Sequence, residues 1–221
     1  MILLDKFLLE FKAKCGLTTL NMPNWDDHQD FEASFWGNCV NTFYEEQKQY
    51  VYAKHMGLDL VRTEDKAYGL NLAGKSVLDI GGGPVSLLLR CINLGRCAVV
   101  DPCRYPSWTK MRYDCMGIDF WPMAGEELVN FPRADEVWIY NVLQHTQDPA
   151  KIIENAKAIA PVLRIFEWVD FPPHLGHPHE LTKKGLESWI GQSGTVTTFT
   201  GENYCYGNAF HGCFTHARNH S

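Results

Sequence analysis

The stretch VLDIGGGPVSLLLR, Val77–Arg90, constrains this chain more than any other. An apolar run of strand length stops at three consecutive glycines, and a proline then opens a second apolar run. Glycine permits positive φ and close backbone approach. Proline is tolerated in the first turn of a helix, where its missing N–H would have no partner. Strand, glycine turn and helix over "PVSLLLRCINLG" together predict the first unit of a wound α/β sheet.

The alternation continues to the end of the chain. "CAVVD" reads as a second strand, "SWTKMRYDCMG" as a helix and "IDFWPM" as a third strand. "ADEVWIYN" is a fourth strand, and "DPAKIIENAKAIA" a helix with Asp148 as N-cap and Pro149 at its first position. "VLRIFEWVD" is a fifth strand, "ELTKKGLESWIG" a helix, and "TVTTFT" and "NAFHGCFTHA" the last two strands. Only "GENYCYG" joins that final pair, too little for a crossover helix, so it must be antiparallel. The expected fold is a three-layer, doubly wound α/β sheet of seven strands, mostly parallel with an antiparallel last strand. Residues 71–221 would form this domain.

Residues 1–70 read differently. They are rich in aromatic residues at helical spacing and predict an N-terminal helical cap or lid. Asp30 is a candidate helix cap and Gly57 a candidate helix end. The first sixteen residues predict an amphipathic helix, not a secretory signal, because charges interrupt the apolar positions. No run of about 18 apolar residues is present to span a membrane. The 221 residues carry a formal net charge of -6 with no long basic run, which argues against a nucleic acid as main partner. Eight cysteines without a CxxC pair read as reduced thiols of a cytoplasmic protein.

Ligands of open parallel sheets bind beyond the carboxyl ends of the strands. The glycine turn of Gly81, Gly82 and Gly83 lies there, followed by a helix start offering free N–H groups. Asp101 ends the second strand, twenty residues after Gly81, a spacing suited to accepting hydrogen bonds from ribose hydroxyls. A dinucleotide fingerprint would place a further glycine at position 86, where this chain has Ser86.

Four motifs in order carry a resemblance to a known family. "VLDIGGGPVS", "VVDP", "MAGEELVNFP" and "VWIYNVLQHTQDP", with the terminal strand pair, resemble the class I S-adenosylmethionine-dependent methyltransferases over residues 76–216. The resemblance implies a Rossmann-like methyltransferase, with S-adenosyl-L-methionine as cofactor and S-adenosyl-L-homocysteine as product. It implies that Asp79, Gly81, Gly82, Gly83 and Pro84 hold the methionine end. Asp101 and Pro102 would meet the ribose, Glu126 the adenine, and Asn141 with Val142 the methionine moiety. Two positions depart from the family pattern: Val85 replaces a frequent third glycine, and the usual adenine acid aligns with Ala124 unless the register shifts to Glu126.

A base with pKa near neutral suits removal of the acceptor's proton, which points to histidine. His145 follows the fourth strand, while His177 and His179 lie in "EWVDFPPHLGHPHELT" after the fifth. All three are candidate catalytic residues. A metal reading of His174, His177 and His179 ranks below a substrate-lining loop or a proline-stiffened surface loop. Trp36 and Tyr44 read as core or lid, and Tyr204, Tyr206 and His211 as ordinary strand residues or pocket wall.

The compact, acidic chain makes a small-molecule or sugar-like acceptor, methylated on O or N, the first expectation. RNA or protein methylation by the same fold is the alternative. A nicotinamide-dependent oxidoreductase and a non-catalytic S-adenosylmethionine-binding protein are the readings from other classes. The oligomeric state is not specified by the sequence.

Overall fold

A computed structural model gives the fold and describes residues 24–62 and 68–217. The amphipathic helix expected at the N-terminus lies outside the described residues. In chain order the elements are α1 (Trp25–Trp36), α2 (Cys39–His55), β1 (Leu60–Arg62), β2 (Tyr68–Asn71) and β3 (Val77–Ile80). Next come β4 (Cys91–Ile92), β5 (Cys97–Val100), α3 (Ser107–Met116), β6 (Asp119–Trp121) and β7 (Glu136–Tyr140). The last are α4 (Pro149–Ile159), β8 (Val162–Val169), α5 (Lys183–Ile190), β9 (Thr195–Thr200) and β10 (Tyr206–Thr215).

The seven-stranded sheet has the order β6-β5-β3-β7-β8-β10-β9. Every pairing from β6 to β8 is parallel, and β10 runs antiparallel to both β8 and β9. Alternation along the strands sends side chains to two cores. Val77, Val99, Trp138, Phe166 and Trp168 pack on one face. Leu78, Ile80, Val100, Ile139 and Ile165 pack on the other, beneath Ile152 and Ile153 of α4 and Leu186 and Ile190 of α5.

Local signals placed most helix ends. Asp148 accepts the Lys151 N–H at 2.9 Å, with Pro149 at the first position of α4. Gly117 and Gly191 close α3 and α5 with φ of 67° and 81°. Asp30 is not a cap but lies inside α1, whose N-cap is Asn24, paired reciprocally with Asp27. The cap of α2 is Asn38.

The largest departure follows the glycine turn. The helix expected from Pro84 to Gly95 is a single 3₁₀ turn, Leu87–Arg90, which runs straight into β4. β4 pairs parallel with β2, and β2 antiparallel with β1, forming a separate three-stranded sheet. The boundary drawn at residue 70 therefore falls inside β2, and residues 60–62 are strand rather than helix. The sheet face that the missing helix would cover is covered by α2, whose Val51, Tyr52, Ala53 and Met56 join the core of β3, β5, β7 and β8.

Arg164 of β8 ties α2 to the sheet. Its guanidinium donates to the Met56 carbonyl at 2.6 Å, the Gly57 carbonyl at 3.0 Å and the Glu136 carboxylate at 2.6 Å. Burial opposes ionisation of Glu136, but Arg164, Lys75 and the Trp138 N–H outweigh it and hold its pKa at about 2. Removing one partner of a buried pair leaves an uncompensated charge. Arg164→Ala is expected to lower unfolding stability by about 3 kcal/mol, measured by denaturant titration; a loss below about 1 kcal/mol would contradict this role.

Candidate active site

Register brings the functional ends of three strands together. Ile80 pairs with Val100 and with Ile139, so Gly81, Asp101 and Asn141 emerge side by side from β3, β5 and β7. They open into a cavity of about 770 Å³ including its mouth. Gly81, Gly82, Gly83, Pro84, Asp101, Pro102, Glu126, Asn141, Val142 and His145 all line it. Asp79, His177 and His179 do not.

The glycine turn is shaped from behind by Asp79, which is fully buried. Its Oδ2 accepts hydrogen bonds from the Ser86 and Tyr140 hydroxyls, and its Oδ1 has no partner. Gly81 and Gly83 have φ of 73° and 58°. A Cβ on Gly81 would sit 1.9 Å from Val142, so only glycine closes this turn. Asp79 therefore contacts the cavity only through the loop it holds.

The N–H groups beyond the turn are not free. Ser86 N donates to the Tyr113 hydroxyl at 3.2 Å, and Leu87 N to the Tyr140 hydroxyl at 2.9 Å. Tyr113 in turn donates to the Gly83 carbonyl. A dinucleotide pyrophosphate relies on free N–H groups at such a helix start. Two tyrosines occupy them here, and the helix itself is absent. The nicotinamide reading loses its binding element.

Asp101 is buried, and its carboxylate accepts from the Cys103 N–H at 2.9 Å and the Gly83 N–H at 3.1 Å. Burial raises its pKa to about 6 against these bonds and the Tyr105 hydroxyl. Glu126 turns its carboxylate to the N–H groups of Gln147 and Asp148, at 2.9 and 3.0 Å. Asn155 holds the carbonyls of Gly125 and Glu126 at 3.0 and 2.9 Å. The wall at this corner is thus set by backbone, and a Cβ on Gly125 would crowd Ile80 at 2.9 Å and Ile152 at 3.1 Å.

The remaining wall comes from residues that local motifs did not reveal: Trp25, Gln29 and Glu32 of α1, and Glu45 and Gln49 of α2. Trp36 joins them, while Tyr44 packs on Tyr204 at 4.7 Å and lies off the cavity. Asn141 donates to Glu45 at 3.2 Å. Gln49 is almost fully buried, accepts from Arg90 at 3.2 Å, and has an unpartnered Nε2. The spacing of Gln29, Glu32 and Trp36 on one helical face was the available signal, but such a stripe equally fits a core.

His145 Nδ1 lies 3.0 Å from Glu32, an ion pair rather than an aligned hydrogen bond. Burial opposes its charge, but Glu32, Glu167 and the Gly176 backbone outweigh that and raise its pKa. His177 packs edge-on behind it, with ring centroids 4.6 Å apart, and burial beside His145 holds it neutral. His174 and His177 close a tight turn through their backbones, and His179 Nε2 meets the Gln147 carbonyl at 3.2 Å. The His174 and His177 rings lie together, with centroids 4.2 Å apart, but His179 turns away to Gln147, and no group of three metal-ligating side chains occurs among the described residues. His211 binds Thr197 and His55 away from the cavity. Glu167 is fully buried and accepts the N–H groups of Val142 and Leu143 at 3.1 Å, fixing the loop after β7.

No family model and no curated protein matches the chain. Solved structures do. One is the 1,6-didemethyltoxoflavin N1-methyltransferase of Burkholderia thailandensis, bound to its substrate and S-adenosylhomocysteine. It shares 15% identity over 90% of this chain and 93% of that one, with a TM-score of 0.59. Magnesium protoporphyrin IX methyltransferase of Synechocystis, with bound S-adenosylmethionine, shares 14% over 90% and 100%, TM-score 0.58. The N-methyltransferase NodS of Bradyrhizobium japonicum, with S-adenosylhomocysteine, shares 12% over 86% and 98%, TM-score 0.56. The chain therefore has the class I S-adenosylmethionine-dependent methyltransferase fold. Its seven-stranded, mostly parallel sheet with an antiparallel last strand is consistent with that fold.

The buried carboxyls set a pH dependence. Burial raises Asp79 to about 7 despite Ser86 and Tyr140, and Glu167 to about 8 despite its two N–H donors. With Asp101 at about 6, all three bind a proton more tightly folded than unfolded. The stability each contributes is complete below the ordinary carboxylate range and is lost as pH rises through 6, 7 and 8. Glu136 has the opposite sign, and its contribution is lost only as pH falls toward about 2. His55, His177, His211 and His216, held low by burial, contribute in the opposite sense and gain stability as pH rises through the ordinary imidazole range. The carboxyl effect is therefore read by difference: the thermal midpoint of Glu167→Gln relative to the unsubstituted protein is expected to rise from about pH 5 to about pH 8, and a difference that does not change with pH would refute the assignment of Glu167.

Proposed function

We propose that this protein is an S-adenosylmethionine-dependent methyltransferase acting on an O or N atom of a small-molecule or saccharide acceptor. One observation carries the reading most directly. Asp101, buried at the end of β5 beside the glycine turn, is a proton-hungry acceptor where ribose hydroxyls would arrive. S-adenosylmethionine supplies a methyl group already activated on a cationic sulfur, so the protein's work is alignment and exclusion of water.

The residues divide that work. Gly81, Gly82, Gly83 and Pro84 form the cradle, and Asn141 and Val142 close its far side. The free Nε2 of Gln49 is a donor for the methionyl carboxylate. Asp79 is a positioning residue that holds the turn. Asp101 and Pro102 flank the ribose, and backbone at Gly125–Glu126 meets the adenine. α1 serves as lid over this domain. Of the three candidate histidines, His145 alone lines the cavity, so it and Glu32 handle the acceptor's proton, with His177 and His179 as supporting loop residues.

Calorimetry is expected to show S-adenosylhomocysteine binding and no heat for NAD. Asp101→Ala should weaken that binding at least tenfold, about the worth of one charge-assisted hydrogen bond. Binding of NAD in place of S-adenosylhomocysteine would overturn the proposal. Unchanged affinity in the variant would remove the ribose assignment.

A further inference from the structure

The acceptor side of the cavity has a chemical bias. Among the described residues that line the cavity there is no lysine or arginine, whereas Glu32, Glu45, Asp101 and Glu126 all reach it. Three of these are committed elsewhere. Asp101 holds the glycine turn, and Glu126 faces the Gln147 and Asp148 amides. Glu45 is engaged by Asn141 and, from outside the wall, by Lys48 at 3.3 Å. Glu32 stands on the lid helix opposite the strand ends. One of its oxygens faces His145 at 3.0 Å, and the other accepts the Trp36 indole N–H at 2.8 Å.

A second observation is independent of charge. Gln29, one turn before Glu32 on α1, lines the cavity, and its Oε1 is shielded from solvent and has no hydrogen-bond partner. A buried acceptor left unpaired is costly, and a ligand donor would satisfy it. The indoles of Trp25 and Trp36 stand on the same helix, and aromatic faces of this kind hold flat rings and cations. An anion here would find carboxylates and carbonyl-type acceptors, and the His145 ring is already paired with Glu32.

We infer that the acceptor is an uncharged or cationic molecule that presents N–H or O–H donors to Gln29 and Glu32, an amine or a nitrogen heterocycle above all, and that carboxylated and phosphorylated molecules are excluded. This rests on the methyl-transfer reading. In the transfer the acceptor nitrogen gains the methyl, the sulfur keeps the electron pair of the broken bond, and the acceptor's proton leaves to the Glu32–His145 pair.

The full chain, loaded with radiolabelled-methyl S-adenosylmethionine, would be incubated with small-molecule extract sorted by ion exchange at neutral pH. Label should enter the cation-retained and unretained fractions at least tenfold above the anion-retained one, which also holds RNA fragments. Saturation-transfer NMR on the S-adenosylhomocysteine-loaded protein should show contact with benzylamine and none with benzoate. Glu32→Gln should reduce labelling of the cation-retained fraction severalfold more than that of the unretained one. Label confined to the anion-retained fraction, or equal contact by benzoate, overturns the inference and leaves methyl transfer standing. If S-adenosylhomocysteine does not bind, the methyl-transfer reading has failed and takes the inference with it.

Discussion

The architecture depends on one buried carboxylate. Asp79 sits at the centre of β3, flanked in register by Val99 and Trp138, and receives two hydroxyls on one oxygen. Ser86 comes from beyond the glycine turn and Tyr140 from the end of β7. Their convergence bends Gly81–Val85 back over the sheet. Tyr140 also takes the Leu87 amide, and Tyr113 takes that of Ser86. The cradle is thus a closed hydrogen-bonded ring around one acid. The left-handed turns at Gly81 and Gly83 are held in place by the surrounding bonds.

That closure bears on which class of cofactor such a strand–turn unit can admit. The same glycine spacing serves a pyrophosphate when the following amides are open, and a zwitterionic amino acid when they are not. Here the amides are filled by tyrosines, and a buried donor without a partner nearby is the uncharged amide of Gln49. Neutral donors and buried acids suit a ligand that brings its own positive charge on sulfur and nitrogen.

The sheet was legible because its signals are local. Apolar runs marked the strands, Asp148 and Pro149 announced α4, and the short "GENYCYG" connection forced the final pair to be antiparallel. The strand-end residues Gly81, Asp101 and Asn141 were legible for the same reason, since parallel register puts strand ends together. What the sequence hid were long-range choices. Nothing near Leu87 says that Tyr113 and Tyr140 will consume the amides a helix would begin with, or that Cys91 will pair with Leu70. Glu32 and Gln29 carried no signal of their own beside the aromatic residues, such as Trp36, that read as core or lid. Only the docking of α1 on the 174–177 turn, through His28 on the Leu175 carbonyl and Phe31 against Gly176, turns them inward.

The exchange of one helix for another also alters the order in which the protein can assemble. In a wound sheet each helix normally covers the strand it follows, so contacts close as the chain is made. Here α2 covers β3, β7 and β8, and its clamp, Arg164, lies more than one hundred residues downstream of Met56. The apolar side of α2 stays open until β8 has been synthesised and paired. Folding must therefore wait on distant contacts, which slows it and lengthens the exposure of Val51, Tyr52 and Met56 to other chains. A cavity wall built by reaching back to the start of the chain is complete only when most of that chain exists.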